Sequence, residues 1–96
     1  MEQNPQKAID KYDGKTIRIT HDNRSRIFAI SVEYIPEANE LEVTLRSIST
    51  SKEVRSSNLE SDLELLPDIY KIAYQKAIEI ADKIQEDLDV DFEEDL

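Results

Sequence analysis

Apolar and polar residues alternate over three stretches in the first half of the chain. They then recur at three- and four-residue steps through most of the second half. In residues 15–21, Ile17 and Ile19 point one way while Thr16, Arg18 and Thr20 point the other. In residues 26–35, Phe28, Ile30, Val32 and Tyr34 share a face. In residues 41–48, Leu41, Val43 and Leu45 face inward and Glu42, Thr44 and Arg46 outward. Residues 22–25 and 36–40 are rich in the side chains that bond their own backbone in turns. Three strands joined by short polar turns predict an antiparallel meander with one buried face. On its polar face Arg18, Glu33, Glu42 and Arg46 are placed to pair across strands, for a few tenths of a kcal/mol each.

Helical spacing flanks this meander. Residues 4–14 predict a short helix: Asn4 suits the N-cap, Pro5 the first helical position and Gly14 the end, with Ala8, Ile9 and Tyr12 buried. Residues 47–58 are serine-rich and without a clean period; they read as a loop, the alternative being a fourth edge strand through Val54. Two Ser-x-x-Glu signals follow, Ser57 to Glu60 and Ser61 to Glu64, with Leu59, Leu63 and Leu66 at helical spacing. Proline deep in a helix costs on the order of 3 kcal/mol, so Pro67 predicts a short helix ending near Leu65 and a new one beginning at Pro67. That second helix, over 67–88, has the clearest stripe. Ile69, Ala73, Ala77, Ile80, Ile84 and Leu88 line it, widened by Ile72, Tyr74, Ile78 and Ala81. The expected fold is α+β, ordered α-β-β-β-α-α: a two-layer sandwich in which a three-stranded antiparallel meander is covered by a long C-terminal helix, with a short N-terminal helix. Residues 1–88 form a single domain in this reading, and 89–96 an acidic C-terminal tail.

Composition narrows the function classes. Ninety-six residues hold one modest core, and the absence of cysteine excludes disulfides, thiolate nucleophiles and cysteine metal sites. No run approaches the roughly 18–20 apolar residues of a membrane span and no signal segment opens the chain, so the expectation is a soluble, cytoplasmic protein. Net charge is −10, and its placement matters more than its size. Residues 1–59 carry nine acids and nine bases; residues 60–96 carry thirteen acids and three bases, so the whole imbalance lies in the last 37 residues. A field of that sign repels nucleic acid and anionic membranes and attracts basic protein surfaces.

The last ten residues, DLDVDFEEDL, concentrate the question. Asp87, Asp89 and Asp91 match the first ligand positions of an EF-hand loop, but Phe92 stands where its turn needs glycine and the final bidentate glutamate is missing. Specific calcium binding is therefore not expected. A solvated end is the plain alternative. Against it, Leu88, Val90, Phe92 and Leu96 are apolar, and an extended strand would line them along one edge. Glu79, Asp82 and Glu86 make an acidic stripe on the exposed side of the last helix, with Lys83 placed to relieve Glu79. Acids also crowd the helix C-terminus, where the backbone dipole favours bases. Local rules broken in this way concentrate at functional positions. The tail alone does not imitate a duplex. Its six charges span at most about 33–36 Å, about one per 6 Å, against one per roughly 1.7 Å in DNA. Mimicry would need the stripe, and with it Glu60, Asp62, Glu64 and Asp68, on one side of the fold.

Other constellations are weaker. His21, the one histidine, sits beside Asp22 at a turn with no nucleophile near it in sequence, and reads as a solvated turn residue. No cofactor and no metal site are expected. The order helix, three strands, helix is similar to that of double-stranded-RNA-binding domains, which implies a nucleic-acid binder as one alternative; Lys71 and Lys76 among acids speak against it. The leading expectation is a small, acidic, non-enzymatic protein-binding module, an inhibitor or regulator that engages a basic, nucleic-acid-binding protein surface by charge complementarity or nucleic-acid mimicry. Its candidate residues are Glu79, Asp82, Glu86 and Asp87 on the helix, and Asp89, Asp91, Phe92, Glu93, Glu94 and Asp95 beyond it. The first alternative is a structural or regulatory homodimer built through the helix face, its acids serving solubility, and the nucleic-acid binder is the second.

Overall fold

In the computed structural model, the backbone is described for residues 5–38 and 40–94, and side chains for 6–87 within those limits. The first hairpin is set by Asp22 and Asn23, whose φ angles of 53° and 62° are both positive. A two-residue turn of that kind matches the right-handed twist of its strands. It joins β1 (Thr16–His21) to β2 (Arg24–Ile35), with His21 opposite Arg24 and Ile17 opposite Phe28. β2 then pairs with β3 (Glu40–Ser47), placing Ile30 opposite Leu45 and Val32 opposite Val43. The alternation read from the sequence thus puts one apolar set on one side of the sheet.

The sheet has a fourth strand where a loop was expected. β4 (Glu53–Arg55) pairs antiparallel with β3, Val54 lying opposite Leu45 and fully buried. Ser51 takes a positive φ of 62°, and the Ser47 amide donates to the Lys52 carbonyl at 2.8 Å, so the serine-rich stretch is a turn. Three residues are too short a strand to show a period of two, and only Val54 marked it. The order is β1-β2-β3-β4, each strand beside its neighbour in sequence.

α1 (Pro5–Ile9) is shorter than residues 4–14 suggested; the chain leaves it through turns that close at Gly14. Gly14 has φ +80°, a conformation that strains any residue with a Cβ. The connector completes the edge of β2 beyond β1. Gly14 donates to the Ile30 carbonyl (2.9 Å), Ile30 donates to the Lys15 carbonyl (2.8 Å), and the Val32 amide donates to Asp13 Oδ1 (2.9 Å). Backbone groups that would be orphaned on a strand edge are satisfied there.

Neither Ser-x-x-Glu signal starts an α-helix. The short helix expected before Pro67 is a 3-10 helix at Glu60–Leu63, entered through the Asp62 carboxylate, which accepts from the Leu59 amide at 3.1 Å. Ser57 instead donates to Glu42 Oε2 at 2.7 Å, across to the sheet. Leu59, expected inside, is 67% exposed. Pro67 directly precedes α2 (Asp68–Glu94), as its missing N–H favours. α2 runs six residues past 88, so the backbone from Asp89 to Glu94 is helical and not an extended strand. No proline or glycine follows Asp68 to stop it, and the short alternation of Leu88, Val90 and Phe92 outweighs none of the helical preference of its glutamates.

The core lies between α2 and one face of the sheet. Ile69, Tyr70, Ala73, Tyr74, Ala77, Ile80 and Ile84 are buried on α2; Ile19, Phe28, Ile30, Val43, Leu45 and Val54 meet them from the strands. Ala73 and Ala77, both fully buried, allow close approach of helix to sheet. Tyr70, which the three- and four-residue count passed over, is buried in the first turn of α2. Its ring packs edge-on against Phe28 with centroids 5.8 Å apart, and its hydroxyl pairs with Thr50 Oγ1 at 2.6 Å. The Tyr74 hydroxyl donates to the Asn58 carbonyl at 3.1 Å. Among the described residues, no buried side-chain nitrogen or oxygen lacks a partner. Replacing Phe28 by Ala removes the contact between both layers and lowers the unfolding free energy by about 3–5 kcal/mol, to be read from the urea midpoint of the variant.

Candidate functional site

With its apolar stripe committed to the sheet, α2 turns its remaining faces to solvent. Glu79, Asp82 and Glu86 are exposed and step by three and four along it. They line one groove of about 420 Å³, together with Lys76, Lys83, Tyr12, Ile17 and Ile80. The sequence placed the three carboxylates on one stripe, and they share this groove. The partly buried floor supplied by Tyr12 and Ile17 from other elements was not legible in the helix pattern alone.

The lysines interrupt the acidic stripe. Lys76 pairs with Glu79 at 3.2 Å and Lys83 with Glu86 at 3.7 Å, so Glu79 is relieved by Lys76 and not by Lys83 as expected. Asp87 is held by Lys11 at 3.0 Å, an ion pair that ties the turn after α1 to α2. Among the described residues Asp82 has no ionic partner. Each pair is solvated on both sides and worth about 0.2–1 kcal/mol. Pairing trims the local field at Glu79 and Glu86 without removing the net −10, in which these lysines are already counted. Positions 89 and 93 continue the helical register of 79, 82 and 86. The side chains of Asp89, Asp91, Phe92, Glu93 and Glu94 lie outside the described set, as does Asp95 altogether.

The further acids required for mimicry do not join this groove. Glu60 and Glu64 line a separate depression of about 270 Å³ with Leu63, Lys71, Tyr74 and Gln75. Asp62 is folded back on Leu59, and Asp68 lies between His21 and Lys71, 3.7 Å from each. His21 is therefore matched with Asp68 rather than its sequence neighbour Asp22.

The uncovered face of the sheet is a second polar surface. A shallow trough of about 430 Å³ is lined by Ala29, Ser31, Thr44, Arg46 and the charged Glu33, Glu42, Glu53 and Arg55. Glu33 and Glu42 are directly opposed in register, a like-charge pair that costs stability and replaces the cross-strand attraction expected of them. Arg55 compensates locally. Its guanidinium donates to Glu53 at 2.8 Å, and that bond, the Glu53 charge, then Glu42 and Glu33 hold its pKa above the usual arginine value.

Among the described residues no three histidine or carboxylate side chains converge as a metal site, and no helix is long and apolar enough to cross a membrane. No family model, no curated protein and no solved structure matches the chain. Because the Lys11–Asp87 pair is exposed, Asp87→Asn changes the unfolding free energy by less than about 1 kcal/mol, and chemical denaturation at low and high salt reads both the size and its screening.

Proposed function

We propose that the chain is a non-enzymatic binding module whose outer α2 face and acid-rich C-terminal end engage a basic surface on another protein. The observation that carries this reading is the separation of roles along α2. One side of the helix is used up by the core, while residues 60–96 hold thirteen acids against three bases. Over the whole chain ten acids are left without a base to balance them. That excess steers a basic partner over a Debye length of about 10 Å and raises its association rate. Tyr12, Ile17 and Ile80 give the groove apolar surface beneath the charges, the usual composition of a contact that binds after it is steered.

Charge complementarity is the favoured form. Imitation of a nucleic-acid backbone draws less support, since Glu60 and Glu64 line a different depression from Glu79, Asp82 and Glu86 and lysines alternate with the latter. A nucleic-acid-binding protein remains the natural class of partner, because its surface is built to meet anions. Homodimerisation through the apolar helix face loses its surface, as that face is buried against the sheet. A double-stranded-RNA-binding reading loses its topology to β4 and meets a surface of the wrong sign.

The test is capture of a basic partner from the source organism by the intact chain, with nuclease present. Affinity falls steeply between dilute and physiological salt, and the triple reversal Glu79→Lys, Asp82→Lys, Glu86→Lys weakens it by more than about tenfold while the thermal midpoint holds. Binding that ignores both salt and the reversal contradicts the proposal.

A further inference from the structure

A cleft lies away from the acidic groove, where the β1–β2 hairpin meets the start of α2. It has a volume of about 720 Å³, and the hairpin residues His21, Asp22, Arg24, Ser25 and Arg26 form much of its lining. Ser49 and the entry to α2, Pro67 to Ile69, complete it. Neither Arg24 nor Arg26 has a carboxylate partner among the described residues, whereas Lys11, Arg55, Lys71, Lys76 and Lys83 each have one.

Arg26 is held by neutral groups. Its guanidinium lies over the Tyr70 ring, 5.6 Å from the centroid, and Nη1 donates to Ser49 Oγ at 3.2 Å. Tyr70 is itself fixed by Phe28 and Thr50. The guanidinium is thus oriented without being neutralised, and most of its five N–H donors are left for a ligand. Arg24, exposed, stands two residues away on the same side of β2, and His21 lies opposite it in register. Two carboxylates share the cleft: Asp68 is answered by His21 and Lys71, each at 3.7 Å, and Asp22 occupies the hairpin tip.

We infer that this cleft binds a phosphoryl group carried on a small molecule, with Arg26 as the fixed donor and Arg24 as the closing one. Two guanidinium groups lining one cleft suit a tetrahedral oxyanion, which accepts parallel N–H bonds from a planar fork. A volume of about 720 Å³ exceeds a bare phosphate and leaves room for the organic group of a phosphate ester up to about nucleotide size. Neither arginine belongs to the acidic groove, and the inference stands or falls apart from the proposed partner-binding role.

Calorimetric titration of the full chain with inorganic phosphate, a nucleoside monophosphate and the matching nucleoside tests it. The monophosphate binds and raises the thermal midpoint, inorganic phosphate binds more weakly, and the nucleoside gives no heat. Arg24→Gln touches no structural partner and weakens the monophosphate by at least about tenfold with the midpoint of the free protein unchanged. Arg26→Lys keeps the charge but not the fork, and weakens it comparably. No binding of either phosphate, equal binding of the nucleoside, indifference to Arg24→Gln, or preference for a short polyglutamate peptide would each overturn the assignment.

Discussion

A four-stranded sheet with one apolar face cannot stand in water, and α2 supplies most of its cover, joined by Ala8 and Ile9 of α1 and Leu63 of the 3-10 helix. Everything else in this molecule follows from the seam between α2 and the sheet. Fully burying one large aliphatic or aromatic side chain is worth about 1.5–3 kcal/mol, and the seam collects such residues from both layers. Tyr70 locks the seam at one end through Phe28 and Thr50. At the other end Ile84 is the last buried residue described on the helix, and Lys11 reaches Asp87 one turn beyond it. No disulfide assists, since the chain has no cysteine. The helix can be buried on one side only, and so the other side is free to carry charge.

That division explains how a chain with net charge −10 folds at all. Self-repulsion destabilises a compact state, but less when the charges sit on an exposed helix face in high dielectric than when they crowd a core. The lysines at 76 and 83 recur on the same face and reduce the repulsion at helical spacing. The two proposed surfaces, one for a basic partner and one for an oxyanion, share no residue: Arg24 and Arg26 line a cleft at the start of α2, and Glu79, Asp82 and Glu86 a groove further along it.

Much of this was legible in the sequence because period and side-chain type agreed. Ile17 and Ile19 alternate with polar residues in β1, and Phe28, Ile30, Val32 and Tyr34 share one face of β2; Ile69 to Ile84 step helically and form the seam. What could not be read were elements too short to show a period. β4 has only Val54 facing inward, and the positive φ of Ser51 that creates its turn leaves no mark in a serine-rich segment. Leu59 matched helical spacing yet is exposed, because it lies just outside the 3-10 helix, as its extended N-cap. At the candidate site, spacing along one helix put Glu79, Asp82 and Glu86 on a common face, while Lys11, Tyr12 and Ile17 arrive from elements distant in sequence. The arginine cleft was invisible for the same reason: Arg26, Ser49 and Tyr70 meet only when three separate segments are folded together.

If one seam holds the whole fold, its two layers open together. Native-state hydrogen exchange measures this directly. The amides of Ile69–Ile84 and those in the centres of β2 and β3 should exchange through a single global opening with the same free energy, set by complete unfolding. Helix amides that exchange with a free energy lower than the central strands by more than about 1.4 kcal/mol, a factor of ten in rate, would show that the sheet persists without its cover, and would contradict the seam as the source of stability.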